Sequence, residues 1–414
     1  MAEVRDERGG LREAIALLRS NRDFRRLYVA QLISYAGDWF ATVALLGLVH
    51  DLTGNATLTV MVIFVQLMAF ALLSPLGGYL ADRFDRRRLM VGVDLGRAVL
   101  ALGLLFVRDA DGVWLALALT AATTGLGAFF EPAATAAVPN LVDEEDLPAA
   151  NVLVGAAWGT MLAVGGALGG LVAATLGRDA AFIGNAVSFL ASALLLWGIR
   201  RRFAEPREAS HHVGMVAAVG ETLRYARRDH RVLALLAVKA GHGLGAGVIG
   251  LLALFSLRVF DAGDAGTGVL FAFRGIGALA GPFLARPFIR DTGSLFRAIG
   301  VSLGFYGVFY GLFPFMDGLW AAAPMALLAH VGGGAQWTLS TYGLQRIVPD
   351  RIRGRVFSFD YGMVTLTIAL SNLLAGAAAD RFDPRAVMWT LAAVSFAYAV
   401  AWAAATTGIR RTPD

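Results

Sequence analysis

Gly78-Tyr79-Leu80-Ala81-Asp82-Arg83-Phe84-Asp85-Arg86-Arg87-Arg88-Leu89-Met90 sets four arginines and two aspartates between two long apolar runs. Residues 57–77 before it carry no charged side chain, and residues 89–107 after it carry only Asp94 and Arg97. Two runs that can each span about 30 Å of hydrocarbon place the charges between them at a bilayer surface. The rest of the chain is read outward from this loop.

Apolar residues make up 57% of the 414 residues and charged ones 16%, against about 25% charged in soluble domains. With many runs of roughly 20 apolar residues, this makes the chain an all-α polytopic membrane protein. The formal charge of +5 is therefore read through the positive-inside rule and not as a nucleic-acid footprint. Lys239 is the one lysine among many arginines, and cysteine is absent. Disulfides and thiolate metal sites are thus excluded, and the six histidines show no ligand spacing. The N-terminus carries Glu3, Asp6 and Glu7, and no cleavable signal peptide is read there.

Residues 1–26 are a polar cytoplasmic segment in which Leu11, Ile15, Leu17 and Leu18 mark an amphipathic surface helix. Six spans follow at 27–50, 57–80, 89–107, 113–138, 149–176 and 179–199, forming an N-terminal half over 27–199. A linker at 200–230 holds Arg200, Arg201, Arg202, Arg207, Arg224, Arg227, Arg228 and a second surface helix over 213–228. Six more spans, at 231–258, 266–286, 296–314, 319–345, 356–379 and 385–406, form a C-terminal half over 231–406, followed by a tail at 407–414. Arginine clusters in alternate loops put both termini in the cytoplasm of a multi-pass plasma-membrane protein. The acidic loop at 140–147 dissents, but acidic residues contribute little to orientation.

An internal repeat supports two halves. Gly78-x-x-x-Asp82-Arg83-x-x-x-Arg87 returns as Gly281-x-x-x-Ala285-Arg286-x-x-x-Arg290. Parallel six-span repeats are a transporter architecture with its site near the midplane.

On these residues the chain resembles the major facilitator superfamily. Asn21-Arg22-Asp23-Phe24-Arg25-Arg26-Leu27, Gly37-Asp38 and the loop with Gly78, Asp82, Arg83, Arg86 and Arg87 look most like its third drug:proton antiporter subfamily, the enterobactin- and macrolide-exporter-like group. Asp85 stands where that loop motif usually has glycine. Gly165-Gly166-Ala167-Leu168-Gly169-Gly170 is similar to the antiporter signature Gly-Pro-x-x-Gly-Gly, with Gly166 replacing proline; it also reads as a helix-packing surface. The resemblance implies twelve transmembrane helices in two halves, rocker-switch alternating access, and Asp82 meeting the start of span eleven in the outward-facing state.

Ionisable groups inside hydrocarbon are the functional candidates. Asp38, mid-way along span one, is read as a proton or substrate site, or as half of a packing salt bridge. Glu131, followed by the ladder-breaking Pro132, is a second proton site, a gate member or a surface-snorkelling carboxylate. Lys239 and His242, three residues apart, share a helix face; Asp38 and Glu131 are the candidate partners for Lys239, unless it snorkels to the inner leaflet. Arg274 needs a carboxylate, carbonyls or an anionic substrate. His330, Gln336, Gln31 and Gln66 either line a polar path or make local interhelical hydrogen bonds. Asp94, Arg97 and Asp360 are read as charges of the cytoplasmic gate, near the membrane surface.

There is no G-x-x-x-x-G-K-[ST] loop and no H-E-x-x-H. The expected activity is therefore not enzymatic: a proton-coupled exporter of small amphipathic or hydrophobic molecules, driven by the proton gradient with no cofactor or metal. It is read as a monomer in the bilayer with no nucleic-acid partner. An uptake symporter or lysophospholipid-type flippase on the same fold is one alternative; a non-transporting membrane sensor is another.

Overall fold

The computed structural model describes residues 7–201 and 215–411, apart from the side chains of 7–12, 78, 81, 82, 158, 215–218, 350, 351 and 411. Gly78 and the Asp82 side chain therefore lie outside the described residues. The described chain is helical with no strand: α1 (Glu7–Ser20), α2 (Arg22–Thr53), α3 (Ala56–Arg83), α4 (Arg86–Gly103), α5 (Val113–Leu141), α6 (Leu147–Leu176), α7 (Arg178–Trp197), α8 (Met215–Arg228), α9 (His230–Gly245), α10 (Val248–Leu254), α11 (Gly263–Ala285), α12 (Thr292–Leu312), α13 (Leu319–Ile347), α14 (Asp350–Ala379), α15 (Pro384–Ala405) and α16 (Thr407–Arg411). Only helices and closed barrels satisfy every backbone polar group in lipid, and apolar runs of this length leave the helix as the solution. Eleven helical stretches are long and apolar enough to cross a membrane. The twelfth expected span, α13, falls short of them; its interior carries His330, Gln336 and the run Gly332-Gly333-Gly334.

Short polar caps punctuate the spans. The Asp85 carboxylate accepts from the N–H of Arg88 at 2.8 Å, starting α4. Asp229 and Asp383 cap α9 and α15 in the same way, and Asp291 with Ser294 forms a capping box on α12. Such caps satisfy amides that a helix start leaves free. Pro132 interrupts the hydrogen-bond ladder without ending the helix, in keeping with a span read as 113–138. The ladder of α5 runs from Val113 to Leu141 through both Pro132 and Pro139, because neighbouring turns hold the chain while each proline removes only one donor.

The chain divides into two compact units, Met1–Leu45 with Ala69–Glu208, and Leu46–Met68 with Ala209–Asp414. The first is cored by Phe24, Leu27, Met90, Phe130, Ala134, Leu141 and Leu196. The expected amphipathic helix is α1; Leu17 is buried there while Ile15 is exposed. The second unit is cored by Leu235, Phe296, Leu303, Leu344, Val356 and Trp402, with the Phe296 and Trp402 rings stacked 5.8 Å apart. Outward faces carry Leu72, Val99, Leu194, Trp197 and Leu374, each exposed, an apolar surface suited to lipid.

Glycine sets the helix spacing. A Cβ on Gly77 would run into the carbonyl of Ala128, and one on Gly334 into that of Ala278, so α3 meets α5 and α11 meets α13 backbone to backbone. Lipid offers little drive for apolar helices to associate, so close approach matters more here than in water. Overpacking costs about 1–3 kcal/mol. Gly77→Leu should lower the melting temperature of the detergent-solubilised protein, whereas Gly92→Leu, whose Cβ meets nothing within 4 Å, should leave it unchanged.

Candidate functional site

The first unit sets the buried Arg97 guanidinium among three carboxylates. Arg97 Nη2 donates to both Asp38 oxygens at 2.7 Å, and Nη1 donates to Ser34 Oγ at 3.0 Å. The Asp94 Oδ1 atom stands 3.7 Å from Nη1, and neither Asp94 oxygen accepts a hydrogen bond. The Arg97 guanidinium lies 4.1 Å from the centre of the Phe189 ring. Tyr35 donates its hydroxyl to the Glu131 carboxylate, and Tyr35 and Asp38, three residues apart on α2, share a face. The Asp38 side chain keeps 36% of its surface exposed while that of Arg97 keeps 5%. The acid is reachable and the cation is sealed.

Depth corrects one expectation. Asp94 and Arg97 were placed near the cytoplasmic end of their span, but α4 begins at Arg86. At 3.6 residues per turn they lie about two and three turns inside it, deep enough for Arg97 to reach Asp38. The glycine motif bears on the same place. Gly165 and Gly169 press α6 against Ala36, Trp39 and Phe40 of α2, on either side of Asp38 in sequence, and Gly37 faces Asn185 and Ser188 of α7. Gly166 and Gly170 are buried beside them. The motif thus packs the helix that presents Asp38.

In the second unit Lys239 pairs with Asp360, not with Asp38 or Glu131. The two form a buried, hydrogen-bonded ion pair. Lys239 also donates to Thr341 Oγ1 at 2.9 Å and lies 5.0 Å from the centre of the Trp337 ring. Asp360 was expected near the surface; it stands ten residues into α14 and is 1% exposed, so it neutralises the lysine in the interior. His242, one turn on, packs its ring 4.6 Å from Tyr306 and 6.4 Å from Trp337. Arg274 Nε donates to His330 Nε2 at 3.0 Å. Gln336 and Gln31 were expected either to line a polar path or to bond neighbouring helices; among the described residues their buried amide atoms find no hydrogen-bond partner.

The charged loop is stitched into its own unit. Arg86 Nη1 donates to the Ala136 carbonyl at 2.7 Å and Arg87 Nη1 to the Ile199 carbonyl at 2.8 Å, while Arg83 bonds the Tyr79 hydroxyl. Cations at helix C-termini meet both free carbonyls and the negative end of the dipole. In the weaker repeat, Arg286 opens a short 3-10 turn after α11.

A closer copy of the loop went unread in the sequence. Ala379-Asp380-Arg381-Phe382-Asp383-Pro384-Arg385 matches Ala81-Asp82-Arg83-Phe84-Asp85-Arg86-Arg87 at every position but the sixth, and Gly376 stands before it as Gly78 does before the other. The match extends to contacts. Asp383 caps α15 as Asp85 caps α4, and Arg385 donates to the Pro314 carbonyl as Arg87 does to that of Ile199. Asp380 accepts from the N–H groups of Ala56 and Thr57 at 2.6 and 2.9 Å, and from the Thr57 hydroxyl at 2.5 Å. It therefore caps the start of α3, next to Gly54, whose carbonyl accepts from Arg258. An unfiltered search for repeats of Asp-Arg-Phe-Asp would have found it.

Partial burial by itself would raise the Asp380 carboxyl; the Thr57 hydroxyl, the two amides and the Arg258 charge outweigh it and hold the group below its ordinary 3.8. A depressed folded value stabilises above 3.8 and loses that contribution as pH falls through it. Asp380→Ala should melt below the wild type at pH 7, with the gap narrowing as pH drops below 3.8. For the buried pair, Lys239→Met and Asp360→Leu should each destabilise by roughly 3–5 kcal/mol, the typical cost of leaving one buried charge alone. The double variant should recover most of the loss in a thermal-melting cycle.

Among the described residues no group of three or more His, Cys, Asp or Glu side chains is disposed to hold a metal ion. A family model described as transmembrane secretion effector matches residues 13–411. A candidate bacilysin exporter, BacE, of Bacillus subtilis (strain 168) is 27% identical over 353 residues, covering 84% of this chain and 86% of that protein. An uncharacterized MFS-type transporter of Mycobacterium tuberculosis (strain H37Rv) is 29% identical over 389 residues, covering 87% and 86%. Among solved structures, a bacterial homolog to the human lysosomal transporter Spinster, inward-facing and occupied, superposes with a TM-score of 0.74 at 14% identity, covering 94% of this chain and 98% of that one. At that identity the likeness speaks for the fold alone.

Proposed function

This chain belongs to the transmembrane secretion effector family of major facilitator transporters, and on that premise we propose that it exports small amphipathic or hydrophobic molecules from the cytoplasm in exchange for protons. Export is supported by the bacilysin exporter among its relatives. The observation that carries proton exchange is the sharing of Arg97. Asp38 holds the guanidinium with both oxygens, and Asp94 waits at 3.7 Å.

A guanidinium does not give up its proton at cellular pH, so Arg97 is a constant charge and the carboxylates are the variable ones. A proton arriving at Asp38 removes its charge and leaves Arg97 to turn toward Asp94. A proton leaving restores the two-oxygen grip. Proton occupancy is thereby converted into side-chain position, and the exposed fraction of Asp38 gives the proton its entry. Glu131, tied to Tyr35 one turn from Asp38, is the second acceptor in the relay. The bare Asp94 oxygens give Arg97 an unoccupied place to go.

In this reading the Asp82 loop and its copy at Asp380 are anchors for opposite ends of α3 in alternating access, the first on the cytoplasmic face and the second outside. The protein works as a monomer in the plasma membrane with both termini in the cytoplasm. Its energy comes from the proton gradient without a cofactor.

In inverted vesicles, addition of an exported compound should dissipate an imposed pH gradient. Asp38→Asn should reduce that response to background with expression intact, and Glu131→Gln should slow it. An undiminished response from Asp38→Asn would remove the carboxylate from coupling.

A further inference from the structure

Arg274 is a buried cation without a counter-ion. It sits half-way along α11, is 7% exposed, and among the described residues has no carboxylate within ion-pair distance. The unit's other midspan cation, Lys239, is already neutralised by Asp360. A lone arginine at this depth carries an insertion cost of about 2.5–3.5 kcal/mol, and among the described residues no carboxylate balances its charge. His330 does not: its Nε2 accepts from Arg274 Nε at 3.0 Å, so the ring is neutral with its proton on Nδ1, facing the Ala326 carbonyl and the Tyr310 hydroxyl. That bond holds the guanidinium by its Nε edge and leaves the Nη groups for another partner. The buried Nη1 has no hydrogen-bond partner.

Other unpaired polar atoms gather around the same place. Tyr306 Oη and His242 Nδ1 are buried without hydrogen-bond partners, and their rings are 4.6 Å apart. The Tyr306 ring is also 5.6 Å from that of His330. The Phe271 ring centre lies 5.7 Å from the guanidinium carbon, and Tyr310 closes the cluster against His330 at 5.5 Å. Close packing holds the geometry: Gly277, one turn past Arg274, brings α11 against Leu327 and His330, and Gly333 fits α13 against Tyr306 and His242. Four helices, α9, α11, α12 and α13, thus converge on one fixed positive charge with a hydroxyl donor and aromatic walls.

We infer that Arg274 is the docking point for a singly charged carboxylate on the transported molecule. The planar fork of a guanidinium matches a carboxylate through two parallel hydrogen bonds. One uncompensated cation is balanced by one negative charge; a phosphate dianion would leave an excess charge in a low-dielectric interior. The aromatic walls select an organic acid over a halide ion. Tyr306 supplies a further donor, and His330 is a positioning residue that aims the fork. This deepens the exporter reading and rests on it for transport of the bound acid; the anion site stands on the buried charge alone.

The test uses the purified full chain in detergent in chloride-free buffer, with benzoate as probe. Benzoate should raise the melting temperature in a saturable way, while benzamide, phenylphosphate and sodium chloride at equal concentration should not. Removing a charge-assisted pair should weaken apparent benzoate affinity by about tenfold or more in Arg274→Gln. The same variant should melt no lower than the wild type without ligand, because it deletes an uncompensated charge; a merely structural arginine would show the reverse. Absence of a benzoate-specific shift in the wild type overturns the site, as does equal stabilisation by chloride or benzamide, or unchanged affinity in Arg274→Gln. If benzoate binds through Arg274 but no carboxylate is moved in vesicles, the exporter reading fails and the site survives. If compounds are exported equally as acids and as methyl esters, the assignment of the carboxylate to the cargo fails.

Discussion

The bond between Arg97 and Asp38 depends on a constraint that shapes the whole protein: a charge inside hydrocarbon must find its opposite within a few ångströms. Water supplies counter-charge anywhere on a soluble protein, but a bilayer supplies none. Each buried ion therefore dictates which helices lie together. Arg97 draws α2 and α4 into contact through Asp38 and Ser34. Lys239 joins α9 to α14 and α13 through Asp360 and Thr341. These pairs are not chiefly a source of stability, since burying both partners costs much of what their attraction returns. They specify which helices lie together.

The two units meet this constraint differently. Midway along the spans, among the described residues, the first has an excess of acid, with Asp38, Asp94 and Glu131 around Arg97, and the second an excess of base, with Lys239 and Arg274 and the carboxylate of Asp360. An acidic excess can be relieved by protons and a basic excess by an organic anion, which is the basis of the two proposals made for these sites. Small residues make both possible. Gly165 and Gly169 let α6 approach beside Asp38, and Gly277 and Gly334 let α11 and α13 meet beside Arg274.

The charged loop gains a different meaning from its contacts. Its arginines close helix ends within the first unit, satisfying the carbonyls of Ala136 and Ile199. The copy ending in Arg385 does the same for Pro314 and Met316. In the copy the aspartate before the arginine performs a separate task, capping the first turn of α3. In the copy the seven-residue pattern thus combines a fastening of helix ends with a carboxylate presented to another helix start. The weaker repeat at Gly281 has Ala285 in that place and offers no such carboxylate.

Most of the fold was legible in the order of residues, because span length and charge placement answer to the bilayer, which acts on each segment separately. The helices, the surface segments α1 and α8, and the candidates Asp38, Glu131, Lys239 and Arg274 all follow from where polar residues interrupt apolar runs. Even the Asp380 copy was present in the letters and needed only a fuller comparison. What the order of residues left open was pairing. Lys239 was expected to find Asp38 or Glu131 and took Asp360, which had looked superficial; Asp94 and Arg97 looked superficial too and proved deep. Partner choice depends on which helix faces turn inward and how closely glycines let them approach, and those distances between residues 59 to 121 positions apart exist only once the helices have packed.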